Sequence, residues 1–327
     1  MEEKLKVLSL FSGVGAFDMA LKNIGLNFNI VNYCDNWGVA SKAYSLLHNV
    51  PESLNVGDIT KISIDTLGDF DLLTHGSPCQ SFSSCGKEEG GDEGSGTASS
   101  LMWNTVEIIK HKKPKYVIWE NVKNVLSKKH KHNFEKYIDT LEELGYTSYY
   151  KVLNSRDFGT PMNRERIFII SVLGEHKPFK FPEYKQKFYE LSEYLEEGLS
   201  NESVKISSNI KPGCRTEFLK HYDSILSCKK DTYDCRAKTD FQDKKVGIKI
   251  SYCIRANSTN THVLDNKTIR KLTPKEFWRL MNFKDEDYLK VSKVISSNVA
   301  MCKLAGNSID VKILEYLFRN LFLSEKN

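Results

Sequence analysis

The amino-acid sequence predicts a doubly wound α/β domain with a mostly parallel sheet, accompanied by a smaller domain of irregular structure. Three observations carry this expectation. Short apolar runs alternate with helical apolar periodicity from the N-terminus to about residue 175. The first apolar run feeds a glycine-rich turn and then a helix, the opening of a nucleotide-binding βαβ unit. Beyond residue 175 the alternation stops, and the chain to about His262 is rich in Lys, Tyr, Ser and Asp.

Taken in order, Val7 to Phe11 is a strand, Ser12-Gly13-Val14-Gly15-Ala16 the turn, and Phe17, Ala20, Leu21 and Ile24 the apolar side of a helix. Asn29 to Cys34 is a second strand, closed by Asp35 and Asn36 at the distance from the glycines where this architecture places an acid on ribose hydroxyls. Asp18 stands where a dinucleotide fingerprint has its third glycine, so an adenosine-containing cofactor is expected without its type being fixed. Ala40 to His48 is a helix, and Gly57-Asp58-Ile59 a loop whose acid reads equally as a cap. Asp69 to Thr74 is the strand that delivers Gly76-Ser77-Pro78-Cys79-Gln80 to the carboxyl edge of the sheet, where ligands bind in open α/β folds. Cys79 is loop-borne, follows a proline and precedes polar Gln80, Ser81 and Ser83, which favours a reactive thiol over a buried apolar one.

Ser84 to Ser100 has no hydrophobic period and carries Gly86, Gly90, Gly91, Gly94 and Gly96 among acids and serines, the composition of a lid with its acids facing outward. Leu101 to Lys110 is a helix, and Lys115 to Trp119 a strand ending in Glu120-Asn121, an acid that reads as catalytic or as half of a structural ion pair. Phe134 to Leu144 is a helix, followed by strands at Ser148 to Leu153 and Arg166 to Val172. Thr273, Pro274 and Glu276 mark a helix start through a capping box with proline at the first turn. Ile309 to Leu323 is amphipathic and long enough to pack back on the first domain.

The 327 residues are 40% hydrophobic, enough for a sizeable core, and the net charge of +5 is compatible with a polyanion partner without demanding one. The eight cysteines include no Cys-x-x-Cys pair, and Cys214, Cys228 and Cys235 lack zinc-like spacing, so no metal site and no disulfide scaffold are expected. A charged N-terminus and the lack of a bilayer-length apolar run predict a cytoplasmic protein without membrane insertion.

Six stretches, in this order, resemble the C5-cytosine DNA methyltransferase family of bacteria and phages. They are Phe11-Ser12-Gly13-Val14-Gly15, Gly76 to Ser83, Glu120-Asn121-Val122, Asn163-Arg164-Glu165-Arg166, Arg270 to Leu280, and Gly306-Asn307-Ser308. The resemblance implies the S-adenosylmethionine-dependent methyltransferase fold: a catalytic and cofactor-binding domain over residues 1–175, a target-recognition domain over 176–290, and a segment, 291–327, returning to the first. It implies S-adenosylmethionine as cofactor, held by Phe11, Gly13, Gly15, Asp35, Asn36, Asp58, Ile59, Pro78, Asn307 and Ser308. Cys79 would attack cytosine C6, Glu120 would hold N3 and the exocyclic amine, Arg166 the O2, and Arg164 would support the Cys79 loop. Gln80, Ser83, Arg236, Arg255 and Thr261 are the expected DNA contacts, on double-stranded DNA with the cytosine flipped out.

The implied enzyme is a monomer of the restriction-modification or phage-protection type, with a cognate restriction endonuclease as a candidate partner. Competing readings are a tRNA cytosine-C5 methyltransferase and a non-catalytic DNA-binding relative. An NAD-dependent dehydrogenase leaves the thiol loop unexplained. The sequence departs from the family at Ala16 and Asn282, where glycine is usual, at Asp35, where glutamate is, and at Met162, where glutamine is.

Overall fold

The computed structural model describes residues 4–82, 89–183, 189–199, 231–235, 244–256, 261–265 and 268–323. The chain forms two compact units, one of residues 1–153, 165–183 and 311–327, the other of 154–164 and 184–310. None of the helices among the described residues is long and apolar enough to cross a membrane.

Among the described residues seven strands lie between residues 5 and 173: β1 (Leu5–Leu10), β2 (Phe28–Cys34), β3 (Leu72–His75), β4 (Tyr116–Val122), β5 (Tyr146–Asn154), β6 (Met162–Asn163) and β7 (Glu165–Leu173). All but β6 build a six-stranded sheet of order β2-β1-β3-β4-β7-β5. The pairs β1 with β2, β1 with β3 and β3 with β4 are parallel, while β4 and β7 are antiparallel. Parallel strands need both faces covered, and their sequences show it: all four residues of β3 are buried, as are Val7, Leu8, Ser9 and Leu10 of β1. The order runs outward from β1 in one direction to β2 and in the other to β3, which opens a crevice at the carboxyl ends of β1 and β3.

One face is covered by α3 (Met102–Lys112) and α4 (Lys131–Glu143), whose Trp103, Val106, Ile109, Phe134, Tyr137 and Leu141 join Leu8, Leu73, Val117, Trp119, Ile167 and Ile169 in the main core. α1 (Ala16–Asn23) and α2 (Gly38–His48) follow β1 and β2. The C-terminal amphipathic stretch forms a helix, Val311–Phe318, whose Ile313, Leu314, Leu317 and Phe318 are buried. It lies on α1, with the Phe17 and Phe318 rings 6.4 Å apart and Asn23 Nδ2 donating to Glu315 Oε1 at 2.7 Å. Each such fully buried side chain contributes about 2 kcal/mol through the surface it removes from water, so apolar contact far outweighs the single amide bond.

In the second unit Thr232–Cys235, Lys244–Gly247, His262–Asp265 and Thr268–Lys271 form a four-stranded sheet, and β6 pairs in parallel with Ser251–Tyr252. The predicted helix start is present at Pro274–Leu280: Glu276 N donates to Thr273 Oγ1 at 3.2 Å, and Thr273 N to Glu276 Oε2 at 2.8 Å. The same carboxylate is fully buried and takes both terminal nitrogens of Arg270, at 2.8 and 2.6 Å, while Arg270 Nε binds Asp265 at 2.7 Å. Glu276 thus caps the helix and anchors the Thr268–Lys271 strand together, the pairing that makes burial of a carboxylate tolerable. Two further helices, Asp285–Ser292 and Asn298–Asn307, complete the described part of this unit.

Candidate active site

The crevice of the first unit is lined by the turns that follow β1, β2 and β3. After β1 the backbone enters the left-handed region at Phe11 (φ 51°), Gly13 (φ 55°) and Gly15 (φ 74°). A non-glycine residue in that region is strained, and such strain gathers at ligand sites. At Gly15 the requirement is double, since a Cβ would lie 2.1 Å from His48 Nε2 and 2.7 Å from the Tyr44 ring, whereas a Cβ on Gly13 would meet nothing within 4 Å.

Asp35, just beyond β2, fixes this turn. Its Oδ2 accepts Gly13 N at 2.9 Å and its Oδ1 accepts Trp37 N at 2.8 Å. Asn55, which belongs to no motif of the sequence, staples the third side. Its Oδ1 accepts from Asp35 N at 3.1 Å and Gly57 N at 2.9 Å, and its Nδ2 donates to Asp35 O at 2.9 Å. The role of Asn55 is not legible in the sequence, because its main partner, Asp35, lies 20 residues away in the turn after β2. Asp58 caps the short helix Ile59–Lys61, accepting Thr60 N at 3.0 Å and Thr60 Oγ1 at 2.8 Å, so the cap reading of this acid holds and leaves its second oxygen facing outward beside Lys61 at 3.9 Å. Ile59 is buried and Asn36 exposed.

This cradle fits S-adenosylmethionine. Phe11 is half-buried against the core and offers an aromatic edge, Gly13 leaves open space in front of the turn, and the Asp35 carboxylate stands at that turn as a hydrogen-bond acceptor. Asn307 and Ser308 lie in the second unit, at the end of the helix Asn298–Asn307, Asn307 exposed and Ser308 buried.

Cys79 is half-buried on the turn after β3. Side chains hold that turn from several sides. Trp119 Nε1 donates to Ser77 Oγ at 3.0 Å and Asn121 Nδ2 to Ser77 O at 3.2 Å. Ser99 Oγ donates to Pro78 O at 2.8 Å and accepts from Ser81 N at 3.1 Å, and Asn124 Nδ2 reaches Phe82 O at 2.5 Å. Phe82 is fully buried, and Gly91 packs flat on its ring, where a Cβ would come within 2.3 Å. Burial pushes the Cys34 thiol up to about 12 and the Cys302 thiol up to about 11, with Asp35 adding to the former, so neither is a thiolate near neutral pH.

Glu120 comes to the same edge by strand register. His75 pairs with Trp119 in the parallel β3 and β4, so the chain beyond these residues carries Cys79 on the turn after one strand and Glu120 on the neighbouring strand. Glu120 lies within β4, not beyond its end, and pairs with Phe168 of β7 while Val122 pairs with Arg166. Glu120 and Arg166 are therefore diagonal neighbours on one face, within reach of long side chains. Arg166 Nε stands 3.1 Å from Glu120 Oε1, with the side chains 15% and 10% exposed. Arg166 NH1 also donates to Glu165 O at 2.7 Å.

Arg164, buried in the second unit, donates through NH1 to Ile254 O at 2.8 Å and through NH2 to Ser308 O at 2.6 Å, with Cys253 Sγ at 3.5 Å. Gln80 is exposed beside Cys79, Arg255 is exposed, and Thr261 is buried with its carbonyl accepting Leu272 N at 3.0 Å. Ser83 and Arg236 lie outside the described residues, as do residues 84–88 of the expected lid.

The described part of the lid segment is tied to the first unit. Thr97 Oγ1 donates to Gly90 O at 2.9 Å and Trp103 Nε1 to Gly91 O at 2.8 Å. Two of its acids, Asp92 and Glu93, stand at the surface as expected and are paired with residues of α4. Asp92 accepts from His132 at 2.6 Å and Asn133 at 2.7 Å, and Glu93 from Lys136 at 2.6 Å.

A glycine-rich cofactor turn, a loop-borne cysteine and a carboxylate paired with arginine on adjacent strands form a combination that the family model for the C-5 cytosine-specific DNA methylases matches over residues 5–323. The chain belongs to that family. The type II methyltransferase M2.ScrFI of Lactococcus lactis subsp. cremoris is 40% identical over 273 residues, 83% of this chain and 72% of that protein. The type II methyltransferase M.HhaI of Haemophilus parahaemolyticus is 31% identical over 330 residues, covering 97% of this chain and 94% of its own. Among solved structures, the S. pombe Dnmt2 methyltransferase superposes with a TM-score of 0.71 at 20% identity, over 99% of this chain and 100% of that one. The fold is accordingly that of the S-adenosylmethionine-dependent methyltransferases, and the membership defines the chain as a methyltransferase of the C5-cytosine DNA type.

Proposed function

We propose that this methylase takes a methyl group from S-adenosylmethionine to C5 of a cytosine flipped out of duplex DNA, with Cys79 as nucleophile. The observation that carries the reading is the register of β3 with β4, in which the turn bearing Cys79 follows β3 beside the part of β4 that holds the Glu120–Arg166 pair. Cytosine C5 is a weak nucleophile. A bond from the Cys79 sulfur to C6, with Glu120 supplying a proton at N3, converts the ring into an enamine whose C5 carries the electron pair. Arg166 holds O2 and keeps the Glu120 carboxyl oriented. S-adenosylmethionine would be held by Phe11, Gly13, Gly15, Asp35, Asn36, Asp58, Ile59, Pro78, Asn307 and Ser308 and would supply an electrophilic methyl group. Loss of the C5 proton to a base, here assigned to water, then expels the thiolate from C6, and return of the N3 proton to Glu120 leaves neutral, aromatic 5-methylcytosine.

C6 is hidden in a stacked duplex, so the base leaves the stack at a cost of a few kcal/mol, and the segment after Cys79 closes over it. Gln80, Ser83, Arg236, Arg255 and Thr261 are the proposed DNA contacts, and Arg164 the support of the catalytic loop. The names of the type II relatives support a restriction-modification setting. The enzyme proposed is a cytoplasmic monomer that modifies a short target, with a cognate endonuclease as counterpart.

Incubation with methyl-labelled S-adenosylmethionine and mixed-sequence duplex DNA yields 5-methylcytosine in this account, and Cys79→Ser yields none. Label appearing in tRNA and not in DNA contradicts the substrate assignment. Undiminished methylation by Cys79→Ser contradicts the mechanism.

A further inference from the structure

Within the second unit a closed circuit of hydrogen bonds links Arg164 to the segment after the helix Asn298–Asn307, and Asn282 closes it. Asn282 follows the helix Pro274–Leu280 with φ at 58°, a conformation that asparagine tolerates better than other side chains bearing a Cβ. Its Nδ2 donates to Thr160 Oγ1 and to Asp310 Oδ1, both at 2.7 Å, and its Oδ1 accepts from the Tyr194 hydroxyl at 3.4 Å. Thr160 and Asp310 are buried, at 0% and 1% exposure, so water does not replace a lost amide there without rearrangement.

From Thr160 the circuit continues through the backbone. Met162 N donates to Thr160 O at 2.7 Å, and Arg164 N to Met162 O at 3.1 Å. The Arg164 guanidinium then grips Ser308 O at 2.6 Å, and Asp310, two residues on, returns to Asn282. The segment has no slack at its start either, since a Cβ on Gly306 would lie 2.4 Å from the Arg255 carbonyl carbon. One side-chain amide therefore fixes both ends of the path from Thr160 to Asp310.

We infer that Asn282 is a positioning residue that sets Arg164 and the Asn307–Ser308 turn in register, and thereby the affinity for S-adenosylmethionine. The affinity part rests on the assignment of Asn307 and Ser308 as cofactor contacts, whereas the positioning part does not.

The test uses the full chain. Asn282→Gly keeps the left-handed backbone at no steric cost and deletes only the amide. It is expected to weaken S-adenosylmethionine binding, measured by titration calorimetry without DNA, about tenfold, the size of one lost buried hydrogen bond. Amide exchange at residues 306–310 rises in the same variant, while the rate at saturating cofactor stays within about twofold of the parent. Thr160→Val reproduces both effects, Thr160→Ser restores them, and Asn282→Gly with Thr160→Val is no worse than either alone, because both break one circuit. The Thr160 pair decides the matter if Asn282→Gly fails to fold. Unchanged cofactor affinity together with unchanged exchange at 306–310 overturns the inference. A parent protein that binds no S-adenosylmethionine overturns the cofactor assignment instead, and faster exchange at 306–310 in Asn282→Gly then still supports the positioning role.

Discussion

The Arg166 guanidinium lies against the Glu120 carboxylate, Nε to Oε1 at 3.1 Å, where the antiparallel pairing of β4 and β7 makes the two residues diagonal neighbours. Both side chains are largely out of water, so the pair is costly to break from one side. Glu120→Gln preserves shape and removes the charge and the titratable proton. The expected outcome is a loss of methyl transfer of at least about 100-fold. Urea unfolding should show a smaller stability cost, about 2 kcal/mol, the scale of a hydrogen bond to a charged group. Wild-type turnover in this variant would remove Glu120 from the chemistry.

The two glycines of the cofactor turn separate backbone strain from collision. Gly13→Ala meets open space and bears only the left-handed conformation, about 1 kcal/mol. Gly15→Ala adds a Cβ 2.1 Å from His48 Nε2 in addition to the same strain, and is expected to cost about 3 kcal/mol and to displace the His48 contact with Val14 O. Equal melting points for the two variants would contradict this difference.

Asp18, which stands in the place of a third glycine, is fully buried beneath this turn, and its Oδ2 accepts from the Tyr44 hydroxyl at 2.9 Å. Burial raises its carboxyl from 3.8 to about 6, against the opposing effect of the hydrogen bonds from Tyr44 and Ser9. The unfolded chain releases this proton first, so stability falls as pH rises from about 4 to about 6, and the penalty is complete above that range. Asp18→Asn keeps an acceptor for Tyr44 and removes the ionisation. It is expected to be more stable than the parent at pH 7, by up to about 3 kcal/mol, with the gap closing on acidification to below pH 4. A gap that does not vary with pH would show that Asp18 is not the titrating group.

In the segment after Cys79, the exposed pair Glu93–Lys136 and the buried bond from Trp103 to Gly91 O differ in weight. Side chains half exposed gain little from pairing, so Glu93→Ala changes stability by less than about 0.5 kcal/mol. Trp103→Phe leaves a carbonyl without its indole partner and should cost about 2 kcal/mol and speed amide exchange across residues 89–97. The reverse ranking would mean that the surface charges hold this segment.

Much of the fold was legible because local chemistry and tertiary demand agree. Buried parallel strands are continuous apolar runs, and the turn after β1 needs glycine for a steric reason visible in the sequence. The amphipathic C-terminus reads as a helix because its apolar side meets α1. Thr273 and Glu276 were readable as a cap, but not the buried Arg270 that Glu276 also neutralises, since that partner is set by a neighbouring strand. Asn55 and Asn282 gave no local signal, as each joins segments distant in the chain. In the sequence Asn282 is visible only as a departure from the family's glycine, and its left-handed backbone explains that preference. The Glu120–Arg166 contact needed the register of two antiparallel strands that sequence spacing does not reveal.

The central claim concerns the Cys79 sulfur, and duplex DNA of mixed sequence carrying 5-fluorocytosine addresses it directly, because fluorine at C5 blocks release of the adduct. Incubation with S-adenosylmethionine, digestion and mass mapping should find a covalent nucleotide on the peptide containing Cys79, and none in Cys79→Ser. An adduct on another cysteine, or cytosine methylation with no adduct at all, would contradict the account.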